Sequence, residues 1–216
     1  VSVDPPVSDT FQARAGRRRR AATQQDLLDA TVRLLEGGAT FSGVSVERIV
    51  AEAGVARTTF YLHFTDKHDL LRALAEDRAR GIEEAGWRGR RRDDEPELSR
   101  AAMAREVEGV AEIWQRDRAV LAAIIETAEH DPRMRELWQG IVRRLASSAS
   151  ELLDVHWAAH PALAPDDPDA VAEAMTWMIE RTCHQAARDP RRLGTLVDAM
   201  TEICWRTLGT GVADGG

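Results

Sequence analysis

The chain has 216 residues, 44% of them hydrophobic, and a formal net charge of −7, which suffices for one large packed domain or two modest ones. Eight prolines and fifteen glycines among many Ala, Leu, Arg and Glu favour an all-α fold. No apolar run approaches a membrane span or a secretory signal core, and two cysteines give no disulfide framework, so a soluble cytoplasmic protein with no membrane partner is expected.

The acidity is uneven. Residues 1–80 carry 12 Lys+Arg against 11 Asp+Glu, and residues 81–216 carry 17 against 25. Basic charge is concentrated in Arg17, Arg18, Arg19 and Arg20, and a local patch, rather than the overall balance, is the electrostatic footprint DNA requires. Residues 1–21 show no helical period and read as a disordered basic arm. Such an arm either lies on a DNA backbone or minor groove, or is a solvated tail.

Thr23, with Asp26 three residues on, reads as a capped helix start. Leu27, Leu28, Thr31, Leu34 and Leu35 then share one face, and Gly37-Gly38 end the helix. Ser45 is placed to cap a second helix, where Val46, Ile49, Val50 and Ala53 recur at i, i+3, i+4 and i+7. Gly54 supplies the left-handed residue of a tight bend. In the short helix that follows, Val55 and Phe60 face inward while Arg57, Thr58 and Tyr61 face out. Two short helices about a glycine turn outline a helix-turn-helix, whose second helix enters the major groove. In that role Arg57 pairs with guanine, Thr58 touches a base edge, and Thr59, Tyr61 and His63 hold phosphates.

These residues resemble the TetR family of transcriptional regulators. Its pattern has Ala-Gly-Val at the turn, Tyr-x-x-Phe ending the recognition helix and Lys opening the next helix. Here these are Ala53-Gly54-Val55, Tyr61-Leu-His-Phe64 and Lys67. Asp66 is placed to cap that next helix, which puts Lys67 at its positive end, where phosphate is favoured. The DNA-binding set is then Arg17 to Arg20, Ser45, Arg57, Thr58, Thr59, Tyr61, His63 and Lys67. Two positions depart from the pattern: Ala56 stands where the family usually has Ser, losing a cap worth about 1 kcal/mol, and Leu62 where it is often polar. The resemblance implies a helix-turn-helix domain over residues 22–68 and a helical ligand-binding and dimerisation domain over 69–216, about nine helices in all.

From Asp69 to about Trp87 a long helix carries Leu70, Leu71, Leu74 and Ile82, and Gly86 to Pro96 reads as an exposed, arginine-rich loop. Helices are predicted at about 99–115, 117–128, 132–158, 168–188 and 190–208, punctuated by Asp131-Pro132, Pro161 to Pro168 and Asp189-Pro190. Trp114, Trp138, Trp157, Trp177 and Trp205 are either core filler or the walls of an apolar cavity. This part resembles, more weakly, the EthR-type branch of the family. The resemblance implies a hydrophobic tunnel lined by Trp114, Trp138, Val142, Leu145, Thr176 and Ile179, filled by a lipophilic effector of low charge. It also implies a homodimer built through the last two helices and a double-stranded, palindromic operator.

Other readings are weaker. His156 and His160 stand at i and i+4 with Asp154 near, yet no Cys or Glu cluster completes a metal site, and no metal or other cofactor is expected. No nucleophile elbow, zinc-protease motif or phosphate loop is present, so no enzyme is expected. A helical, dimeric interaction or small-molecule-binding protein without DNA binding is the remaining alternative. The favoured expectation is a ligand-responsive repressor, released from its operator by the effector.

Overall fold

The computed structural model of the chain describes residues 7–85, 99–186 and 189–208, and among these there are nine α-helices and no strand. The chain divides into two compact units, Val1–Leu74 and Ala75–Gly216, the division falling within the fourth helix.

In the first unit, α1 runs from Val7 to Glu36. The expected disordered arm is therefore helical from Val7 onward, and Thr23 lies inside a helix instead of capping one. Its hydroxyl donates to Arg19 O, one turn back, at 3.1 Å. Absence of an apolar period correctly signals absence of packing, since Arg17 to Arg20 are all exposed. It does not signal absence of helix, because Ala and Arg are strong helix formers that extend a turn already anchored downstream. That anchor is the apolar face: Leu27, Leu28, Ala30, Thr31 and Leu35 are buried. Gly38, at φ +89°, ends α1, with Ala39 N donating to Leu34 O and Gly38 N to Leu35 O.

Helix α2 spans Val46–Ala53, capped by the Ser45 hydroxyl oxygen, which accepts from Arg48 N at 3.3 Å. Gly54 at φ +68° closes it with the same double bond pattern, Val55 N donating to Val50 O. Helix α3 is a short Arg57–Tyr61, and α4 runs Lys67–Ala85 with the Asp66 carboxylate accepting from Asp69 N at 2.8 Å. Ile49, Phe60, Leu70 and Leu71 are fully buried and form the centre of the unit.

The second unit adds α5 (Arg100–Arg116), α6 (Arg118–His130), α7 (Pro132–Ala159), α8 (Pro168–Ala186) and α9 (Leu193–Thr207), close to the predicted spans. Residues 86–98, expected as the arginine-rich loop, lie outside the described residues. The starts follow local chemistry. The Ser99 hydroxyl accepts from Ala102 N, Asp131 accepts from Arg133 N ahead of Pro132, and Asp167 accepts from Ala170 N. Helix α7 packs on α6 and α8, and α9 on α5 and α8. Met103, Leu121, Ile124, Met134, Ile141, Leu153, Cys183 and Cys204 are buried between them.

Candidate nucleic-acid interface and ligand cavity

Helix α3 is held from beneath by Phe60, which is fully buried and lies 5.7 Å from the Phe64 ring. Its other side carries Arg57, Thr58 and Tyr61, all exposed, with Thr59 and His63 half-buried at the flanks. Ala56 occupies the N-cap with no side-chain hydrogen bond, as its methyl group dictates. Leu62 is 69% exposed, the most open large apolar side chain among the described residues, and so extends the outward face beyond Tyr61.

Arg57 does not stand free. Its guanidinium pairs with the Glu47 carboxylate on α2, donates to Tyr61 Oη at 3.3 Å, and lies 5.7 Å from the centre of the Tyr61 ring. All three groups are on the exposed face, so Arg57 is pre-oriented across the helix-turn-helix. Arg20 on α1 donates to Leu62 O at 3.0 Å, which brings one member of the arginine run onto the C-terminal end of α3. Burial, then the positive charge of Arg20, push the His63 imidazole below its ordinary value. Both effects disfavour the charged form of the ring.

Lys67 departs from its expected role. Its ammonium donates to Phe41 O at 3.1 Å, Ser42 O at 3.0 Å and Val44 O at 3.0 Å, and sits 5.1 Å from the centre of the Phe41 ring. An ammonium has three donors, and all three are used on the loop between α1 and α2. Lys67 thus fastens the first turn of α4 to that loop, and no ammonium N–H remains to grip a phosphate. Arg33 adds a second fastening, to the Glu52 carboxylate at 2.6 Å and to Glu52 O at 3.3 Å. The Ser45 hydroxyl oxygen accepts at the α2 cap, and its proton is engaged by the Glu47 carboxylate.

In the second unit the six expected tunnel residues, Trp114, Trp138, Val142, Leu145, Thr176 and Ile179, line one cavity. They are joined by Ile82, Val110 and Ala149, and by polar Glu83, Ser148 and Glu180; the cavity leaves about 90 Å³ for the centres of water-sized molecules. Trp114 and Trp138 meet edge to face at 6.4 Å. A smaller space of about 40 Å³ adjoins, sharing Val110, Ala149, Thr176 and Ile179 and reaching Met103, Glu106 and Cys204. Of the five tryptophans, Trp114 and Trp138 are walls. Trp157 is buried and lines neither space, which makes it core filler.

Glu83 and Glu180 are not among the expected residues. Glu180 carried a legible signal, since Thr176, Ile179 and Glu180 fall at i, i+3 and i+4 on one helical face. Burial pushes the Glu180 carboxyl up, against the opposing pull of the Trp138 indole N–H and of Arg181. The histidine pair is structural. His156 is buried with Nε2 3.3 Å from Leu208 O, and His160 Nδ1 lies 3.0 Å from His156 O at the end of α7. Among the described residues no group of three or more His, Cys, Asp or Glu is arranged to hold a metal, and no helix is long and apolar enough to cross a membrane.

Residues 27–74 match the sequence family of bacterial regulatory proteins, tetR family. The HTH-type transcriptional regulator EthR of Mycolicibacterium smegmatis is 26% identical over 226 residues, covering 96% of this chain and 100% of the relative. Among solved structures, a TetR-family regulator from Rhodococcus sp. superposes with TM-score 0.69 at 16% identity, over 87% of this chain and 99% of that one. FadR from Bacillus subtilis, solved in complex with stearoyl-CoA, superposes with TM-score 0.68 at 17% identity, over 86% and 98%. At these identities the structural likeness is one of fold, and the relatives are transcriptional regulators rather than enzymes. Residues 27–74 are thus similar to the DNA-binding part of tetR-family regulators, and the chain as a whole is similar to one HTH-type transcriptional regulator.

Proposed function

We propose that the protein is a ligand-responsive repressor that binds a palindromic operator as a homodimer in the cytoplasm and is released by a lipophilic small molecule. The observation that carries this reading is the outward face of α3, where Arg57, Thr58 and Tyr61 are exposed above the buried Phe60. Arg57 is long enough to read a guanine, and Tyr61, with the exposed Arg17 to Arg20, is placed for backbone contacts. The effector enters the cavity behind Trp114 and Trp138, and shifts the DNA affinity only as far as it binds the two conformations unequally.

Dimerisation through α8 and α9 is supported by an apolar stripe on α9. Leu196, Ala199 and Ile203 recur at helical spacing and are half-buried or exposed, Ile203 at 49%. A two-fold pair presents two recognition helices to half-sites about 34–36 Å apart, which is what a palindrome requires.

Fluorescence anisotropy on the DNA upstream of the protein's own gene tests the proposal. The full chain should bind with a steep salt dependence, and Arg57→Ala with Tyr61→Ala should abolish specific binding while leaving the fold intact by circular dichroism. Binding that survives both substitutions, or that ignores salt, overturns it.

A further inference from the structure

The cavity has a charge character that a purely lipophilic effector leaves unused. Among the described residues, Glu83 and Glu180 are its only ionisable lining residues, and Glu106 is the only one in the adjoining space. No described Lys, Arg or His lines either. The hydrogen-bonding groups are biased the same way. Carboxylates only accept, the Thr176 hydroxyl gives its proton to Ala172 O at 2.8 Å, and the Trp138 N–H is engaged by Glu180. Ser148 and the Trp114 indole are left as the neutral donors.

We propose that this cavity takes a lipophilic cation, an ammonium or amidinium group on an apolar body, with Glu180 and Glu83 meeting the charge and the faces of Trp114 and Trp138 beside it. The inference rests on reading the cavity as the effector site, and it fixes the ligand's class. An aromatic face attracts a cation, the more so where water is excluded. An anionic head group would instead meet carboxylates with no cation on the wall to receive it. The nearby arginines do not reverse this. Arg144 Nε lies 3.7 Å from the lining Glu83, but Arg144 does not itself line the cavity and also pairs with Glu76 at 2.8 Å, so one cation is divided between two carboxylates. Arg181, beside Glu180, is exposed to solvent. The half-buried Glu180 carboxyl is disfavoured as an anion by its surroundings, and a ligand cation relieves that penalty. The apolar body would lie against Val142, Leu145 and Ile179.

The test uses the full chain and three probes with one tail: octylammonium, octanol and octanoate, titrated below aggregation and followed by calorimetry and tryptophan fluorescence. Octylammonium should bind about tenfold or more tighter than octanol, and octanoate more weakly than either. Glu180→Gln should erase the cation's advantage while octanol affinity stays within about twofold, which also reports an intact cavity. Octanol binding with no advantage for the cation, or an advantage that survives Glu180→Gln with Glu83→Gln, overturns the proposal and leaves the effector site standing. If none of the three binds, and Leu145→Trp folds with unchanged stability, the cavity is not an effector site and both readings fall.

Discussion

Lys67→Met separates a phosphate-gripping lysine from a structural one. Methionine keeps most of the apolar stem against Phe41 and removes only the ammonium. In the structure that ammonium makes three hydrogen bonds of 3.0–3.1 Å to Phe41, Ser42 and Val44 carbonyls. A hydrogen bond from a charged donor contributes about 1.5–3 kcal/mol net, so three would approach about 5–9 kcal/mol if fully buried. The Ser42 bond is exposed and the other two are partly buried, so water replaces much of what is lost. A cost of about 2–3 kcal/mol is expected, which is about a 30- to 150-fold rise in the opening equilibrium of the loop. Hydrogen exchange of the amides at 41–50 reads this directly, with thermal unfolding as a second measure. Lys67→Arg should not restore protection, since a planar guanidinium does not present three divergent donors to three carbonyls. The reasoning is refuted if Lys67→Met exchanges like the parent yet binds DNA with a salt slope smaller by ~0.9, the signature of one lost phosphate contact.

Three further outcomes are expected. Ala56→Ser supplies the missing cap of α3 and should stabilise the helix-turn-helix by about 1 kcal/mol in urea denaturation, and an unchanged midpoint would show that the α3 terminus is already satisfied. Glu47→Gln removes the carboxylate that holds Arg57, so operator affinity should rise a few-fold with stability unchanged; a weaker complex would mean that Glu47 serves mainly to orient Arg57. Burial pushes the Cys183 thiol up to about 12 and Cys204 up to about 11, from an ordinary 9.0. The folded state therefore holds these protons more tightly than the unfolded chain, and their stabilisation is full below about pH 9 and lost as pH rises through 11 and 12. At pH 8 neither thiol should react with iodoacetamide until denaturant is added, and rapid native labelling would contradict their burial.

The local grammar of the chain determined most of the helix boundaries. Ser45, Gly38, Gly54 and the Asp131-Pro132 pair act on backbone groups a few residues away, so their effect is readable wherever they stand. Periodicity was equally local, and Leu27, Leu28, Ile49, Val50 and Phe60 are buried where it put them. Residues 7–21 show its limit, for periodicity reports which face is packed and propensity decides whether a helix forms at all. The six cavity residues followed from the family resemblance and meet in one space. Only the tertiary structure decided what the charged groups do. Lys67 bonds carbonyls 23 to 26 residues away, Arg20 a carbonyl 42 away, and Glu47 an arginine ten away. A cation at a helix start looks the same in sequence whether it faces phosphate or backbone oxygen, and a glutamate looks the same whether it points to water or into a cavity. The partner sets the role, and the partner is chosen by how distant segments pack.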